Sequence, residues 1–221
     1  MTRPVFLARL GLLIFAFVVF AFAAKAIAHP ERLARYTPPV VIHGVLMLAW
    51  IGVFAAQAKL IASGGMGVHR QVGRLSWILV LLMVTTSFGV SFSLMVEFRF
   101  TEVFLANLVN LALFIGFFTA ALFAIAKQDG ASHKRYMLFA TLAILLPAFS
   151  RIAEVFAGNE YLALPMVIIA TVGLPLLYDK SQSQPVHPST IIGIAGSLAG
   201  IVLMVIAIAS PLGDALLAIV A

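Results

Sequence analysis

The sequence predicts an all-α fold: a polytopic transmembrane bundle of about seven helices with its N-terminus in the cytoplasm. Three observations carry that prediction. Of 221 residues, 63% are hydrophobic and only 10% are charged, far more apolar than a soluble domain. Apolar runs of about 20 residues recur along the chain, the length a helix needs to cross a bilayer. The basic residues gather in alternate loops, as the positive-inside rule requires. Lipid demands that each spanning segment satisfy its own backbone hydrogen bonds, so one helical domain over 1–221 is expected.

The expected spans are 5–28, 39–62, 73–96, 103–126, 134–156, 160–178 and 189–210. Arg3 and Arg9 precede the apolar run of the first, which resembles a signal peptide with Ala21-Phe22-Ala23 as a small-residue cleavage site. Its length is that of a full span, so it is read as a retained helix. The second carries His43, Trp50 and Gln57, seven residues apart and therefore on one face. That polar stripe extends about 21 Å. A turn at Ser63, Gly64, Gly65 and Gly67 precedes His69, Arg70, Gly73 and Arg74, which open the third helix. Thr85, Thr86, Ser87, Ser91 and Ser93 on that helix, and Asn107 and Asn110 on the fourth, read as interhelical hydrogen-bonding groups. Ser132-His133-Lys134-Arg135 opens the fifth. Pro165 and Pro175 are expected to interrupt the sixth. Asp179–Ser189 is a polar loop. Gly196 and Gly200 make a close-packing step on the seventh. After Pro211, the apolar tail 212–221 suits the membrane interface.

With the N-terminus inside, the cytoplasmic side collects Arg3, Arg9, Lys59, Arg70, Arg74, Lys127, Lys134, Arg135 and Lys180. The outer side has Lys25, Arg32, Arg35, Arg99 and Arg151, diluted by Glu31, Glu97, Glu102, Glu154, Glu160 and Asp214. This accounts for the net charge of +6 without nucleic-acid binding, since no basic run could hold a duplex. Cysteine is absent, which excludes disulfides, iron–sulfur clusters and thiolate-ligated metals. No HExxH, GxSxG or Walker loop occurs. The seventh helix has no Lys for a retinal Schiff base.

Two constellations remain. His69-Arg70-x-x-Gly73-Arg74 and His133-Lys134-Arg135 are cationic helix starts on one membrane face. Cations in a first turn oppose the helix dipole unless an anion compensates. The two starts suit a phosphate head group, a carboxylate or haem propionates, and neutral imidazoles at equal depth can share one haem iron. The bland alternative is ordinary positive-inside flanking. On the outer side, Arg151 lies about 27 Å along the fifth helix from His133, at the depth of His43. Arg151 and Glu154 share a face by their i, i+3 spacing. They are expected either to form a structural ion pair or to bind a quinol-like or acidic small molecule.

The order His43-Gly44, Gln57, His69-Arg70-x-x-Gly73-Arg74, then His133-Lys134-Arg135-x-Met137 resembles a group of bacterial integral-membrane proteins of unknown function. The resemblance covers 41–151 and leaves 5–28, 160–178 and 189–210 as extra helices. That group is itself loosely similar to ascorbate-reducible b-type cytochromes and to haem-oxidase maturation proteins. The resemblance implies the bacterial inner membrane and one haem b between His69 and His133, with Arg70, Arg74, Lys134 and Arg135 on its propionates. His43, Trp50, Gln57, Arg151 and Glu154 would then line the side where a quinol docks. The alternatives are an accessory subunit or assembly factor of a larger membrane complex, whose cations meet lipid head groups, and a small-molecule or proton transporter that uses the stripe as a path.

Overall fold

The computed structural model describes residues 5–183 and 185–220; Arg3, counted above on the cytoplasmic side, lies outside them. Among the described residues there is no strand. The helices are α1 (Val5–Ala28), α2 (Pro38–Ala62), α3 (Met66–Phe98), α4 (Thr101–Ala126), α5 (Gly130–Ala143), α6 (Leu146–Ala157), α7 (Ala163–Ser181), α8 (Pro188–Ala209) and α9 (Leu212–Val220). Short 3-10 turns occupy Pro30–Arg35 and Glu160–Leu162. Six helices are long and apolar enough to cross a bilayer, and α5 with α6 qualifies as a seventh, broken span. The chain is an all-helical, polytopic membrane protein, as the sequence predicts.

The chain divides into two compact units. The first contains Met1–Met83 and Leu145–His187, hence α1, α2, the first half of α3, α6 and α7. Its centre is α1, which packs on α2, α6 and α7. The buried positions of α1 include Leu7, Gly11, Ile14, Val18, Ala21 and Lys25, alternating steps of three and four that keep one seam facing inward, with Ala8 and Leu10 buried beside it. Gly11 lies against the backbone of Ala55, where an added Cβ would come within 2.8 Å of its Cα. Phe17 meets Phe149 with ring centres 4.8 Å apart, Phe20 meets Phe156, and Phe6 meets Tyr178.

The second unit contains Val84–Ile144 and Pro188–Ala221, hence the rest of α3, α4, α5, α8 and α9. Phe114, Phe118, Leu138, Phe139 and Leu142 fill its core. The α8 backbone approaches closely at Gly193, where a Cβ would fall 2.1 Å from the Phe139 ring, and at Gly200, against Leu113. Asn107 donates to Ser91 at 2.9 Å, the interhelical role expected for both.

Three boundaries differ from expectation. α3 begins at Met66, not near 73: Gly64 (φ 81°) closes α2, and the next helix starts two residues later and carries Gly67 and Gly73 within it. The motif of His69, Arg70 and Arg74 therefore lies within the first turns of a 33-residue helix. The fifth span is broken at Ile144–Leu145. Pro147 has no N–H for the Ala143 carbonyl, and Thr141 Oγ1 donates back to Met137 O at 3.0 Å, which itself bends a helix. The sixth span is not interrupted: Pro165 sits in the first turn of α7, where no intrahelical partner is lost, and Pro175 is carried inside the helix.

Candidate functional site

The buried seam of α1 ends on Lys25, which is only 9% exposed. Its register forces the ammonium into the first unit, where Nζ pairs with the Glu154 carboxylate on α6. Arg32, on the 3-10 turn after α1, donates from Nη1 to Glu154 Oε1 at 2.8 Å. His29 Nε2 lies 4.0 Å from the same oxygen, while its Nδ1 is 3.1 Å from Glu31 Oε1. Glu31, exposed on that turn, has its carboxyl held below the usual range, first by backbone hydrogen bonding at its own residue and further by His29. Glu154 is thus a carboxylate shared among several cations.

Arg151 lies one turn earlier on α6 and makes no ion pair among the described residues. The expected i, i+3 pairing with Glu154 is replaced by the contacts of Glu154 to Lys25 and Arg32. Arg151 donates from Nη1 to the Pro147 carbonyl of its own helix at 2.7 Å. Its guanidinium carbon sits 4.0 Å above the Phe22 ring of α1, a cation–π contact. Its Nε is buried and has no hydrogen-bond partner among the described residues. His43, half-buried near the start of α2, is within electrostatic reach of Arg151, and so are Tyr36 and Glu154. The first unit therefore brings His43, Arg151 and Glu154 together, as the sequence suggests. It adds Lys25, Arg32 and Phe22.

The rest of the α2 stripe does other work. Trp50 is 1% exposed and fills the core. Gln57, about 21 Å from His43 along the helix, donates from Nε2 to the main-chain carbonyl of His69 at 3.1 Å. It ties α2 to α3, and its Oε1 is buried without a hydrogen-bond partner among the described residues. His69 is half-buried, while Arg70 and Arg74 are exposed.

In the second unit His133 donates from Nδ1 to the Ala121 carbonyl at 2.9 Å, which joins α5 to α4. Asp129 caps α5 and accepts from the backbone of Ala131 at 3.1 Å and of Ser132 at 2.9 Å, and from Ser132 Oγ. This carboxylate is an anion that offsets the cationic start of α5. Ser132 Oγ also meets Ser189 Oγ of α8 at 2.7 Å. Arg135 is 3% exposed and donates to Ala131 O of its own helix at 2.8 Å; Lys134 is exposed.

Haem ligation needs a neutral imidazole with a free lone pair, and a bond from Nδ1 to a carbonyl leaves that lone pair on Nε2. His133 meets this requirement. Among the described residues no group of three histidine, cysteine or carboxylate side chains could hold a metal ion.

Sequence reasoning missed Lys25 as a partner, although its position continues the 7, 11, 14, 18, 21 seam. It also missed Asp129, which is visible as an Asp before Gly at a helix start. The fold and site define a polytopic α-helical membrane protein with a cationic, partly buried cluster at one end of its first unit. No family model matches the chain, and neither does any curated protein or solved structure.

Proposed function

We propose that this protein binds a small acidic or quinol-like molecule from within the membrane, with Arg151 as the anchoring group. The observation behind this reading is the buried Nε of Arg151, left without a partner on a helix that belongs to a spanning pair. A charged group at such a depth is retained for a partner. A guanidinium matches a carboxylate, or the oxygens of a quinol ring, through its planar fork of donors. Three basic side chains (Lys25, Arg32 and Arg151) face two carboxylates, Glu31 and Glu154, so basic groups outnumber acidic ones in the cluster. Phe22 holds the guanidinium plane and offers an apolar wall beside it.

Binding of benzoate and of decylubiquinol to the purified protein, compared between wild type and Arg151→Gln, tests this. A lost charge-assisted hydrogen bond of about 1.5–3 kcal/mol predicts roughly 10–150-fold weaker binding. Arg70→Gln, on an exposed side chain, serves as control and leaves binding unchanged. Equal affinity in wild type and Arg151→Gln would remove the assignment.

A second reading rests on the His133 tautomer. We infer a haem b with His133 as one axial ligand, in the bacterial inner membrane. When bound, the haem supplies one-electron redox chemistry. The chain would supply the Nε2 lone pair of His133, fixed by Ala121. A reduced-minus-oxidised absorption spectrum checks it: a b-type α-band should appear and be lost in His133→Ala. A colourless protein folded under ample haem supply would rule it out.

A further inference from the structure

His29 is the joint between α1 and the turn Pro30–Arg35. Its N–H donates to the Lys25 carbonyl at 3.0 Å, continuing the register of α1, and its own carbonyl accepts from the Arg32 N–H at 3.1 Å, which opens the turn. The side chain is 29% exposed, so protons from the aqueous phase reach it. Two carboxylates from different elements flank the ring. Nδ1 lies 3.1 Å from Glu31 Oε1 on the turn, and Nε2 lies 4.0 Å from Glu154 Oε1 on α6. A neutral imidazole has one N–H and one lone pair, so it suits only one of these oxygens. An imidazolium has an N–H on each side and suits both.

The charges around the ring decide whether that cation is favoured. Lys25, in the last turn of α1, and Arg32, on the turn, pair with the same Glu154, and Arg151 stands one turn earlier on α6. These three oppose a charge on His29. From α2 come Tyr36, just before the helix, and His43 near its start; from the turn before α7 come the exposed Glu160 and Tyr161. Favouring the charge are Glu31 and Glu154, the groups that the ring nitrogens themselves meet. Glu31 stays ionised, its carboxyl held below the usual range by backbone hydrogen bonding at its own residue and by His29. Lys25 and Arg32 are matched in number by the two carboxylates, and Coulomb attraction is strongest at contact, so the carboxylates beside the ring prevail.

We propose that His29 is a proton-operated latch between the turn Pro30–Arg35 and α6. Histidine changes its charge between about pH 5 and 8. At the upper end of that range Arg32 ties the turn to Glu154. Toward the lower end a protonated His29 adds a second tie to Glu154 and one to Glu31, and the turn is held more firmly against α6. The latch senses pH on the side of the membrane where α1 ends, and it operates whether or not a ligand binds at Arg151.

The chain has no cysteine, so a nitroxide attached to Leu33→Cys, at a position 50% exposed on the turn, reports the motion of the turn alone. The test records its electron paramagnetic resonance spectrum on the full-length protein in phosphatidylcholine nanodiscs. Between about pH 8 and about pH 5 the ratio of immobile to mobile label should rise about two- to fivefold, the yield of a partly exposed ion pair. In the same labelled background His29→Gln should abolish the rise and leave the spectrum at the higher pH unchanged. Arg32→Gln should enlarge the rise, because the protonated imidazole then carries the tie to Glu154. Glu31→Gln should shrink it. No rise in the otherwise unaltered protein, or a rise of the same size in His29→Gln, would overturn the proposal. A rise kept in His29→Gln and lost in His43→Gln would overturn it in favour of the other histidine. Should His29→Gln fail to fold, Glu31→Gln carries the test, and an unreduced rise there overturns the latch.

Discussion

At the scale of single residues, the ionic centre of the molecule is Glu154, and its loss should be felt as stability. Its side chain is 24% exposed and that of Lys25 is 11% exposed, so the pair is partly desolvated. Removing one partner of a buried pair leaves an uncompensated charge, at about 3–5 kcal/mol when burial is complete. With solvent reaching Glu154 and Arg32, Glu154→Gln should cost about 1–3 kcal/mol. That would appear as a lower thermal midpoint of the detergent-solubilised protein. Lys25→Met combined with Glu154→Gln should recover most of it, since Met fits the apolar seam that Lys25 ends. A double variant no more stable than Glu154→Gln alone would count against this account. The sequence showed that Arg151 and Glu154 sit deep enough to need partners. It did not show which partners, because local spacing pairs them with each other. The observed pairing depends on Lys25, 129 residues earlier in the chain, whose direction only the buried seam of α1 reveals.

Among the elements, helix existence was legible nearly everywhere, while helix packing was not. The apolar runs gave the 5–28 span its observed bounds and most others to within a few residues. The break between α5 and α6 went unseen because both halves are apolar and Pro147 sits one residue inside the second. Small residues on α8 were noticed at Gly196 and Gly200, yet the tightest approach is at Gly193, against a fully buried Phe139 ring. Which small residue meets a large one depends on the partner helix, and no spacing within α8 encodes that. Phe139 is itself backed by Phe117, with ring centres 5.4 Å apart, so it has little room to move. Gly193→Ala should therefore cost about 1–3 kcal/mol by overpacking. Gly116→Ala, where a Cβ meets nothing within 4 Å, should be neutral or slightly stabilising. The two variants are compared by thermal midpoint and by monodispersity after extraction. Equal behaviour would show that the α8 contact yields more easily than its geometry implies.

For the whole molecule, contacts inside the first unit combined with the count of spans predict the number of membrane crossings. Phe17 meets Phe149, Phe20 meets Phe156 and Lys25 pairs with Glu154, so α6 runs in the same direction as α1 and ends on the same side as the turn Pro30–Arg35. Phe6, near the start of α1, meets Tyr178, near the end of α7, so α7 runs back the other way. From the turn Pro30–Arg35 the chain passes through α2, α3 and α4, each long and apolar enough to cross, before reaching Lys127. Three crossings would put Lys127 opposite that turn. Glu160, just after α6, lies beside it. A crossing between them would make α5 with α6 one broken span, and the alternative is a re-entrant loop. The prediction is seven crossings, which the positive-inside rule would orient with the N-terminus inside and Asp214 outside. The absence of cysteine makes the chain its own background for site-directed labelling. In intact cells an impermeant maleimide should label Glu160→Cys and Asp214→Cys, whereas Ser63→Cys and Lys127→Cys should react only after permeabilisation. If α5 and α6 instead returned to the side they entered from, Glu160→Cys and Asp214→Cys would both join the protected set. The ion pair between Lys25 and Glu154 could not then form within one membrane-spanning unit, so the labelling pattern tests the Arg151 cluster as well as the topology.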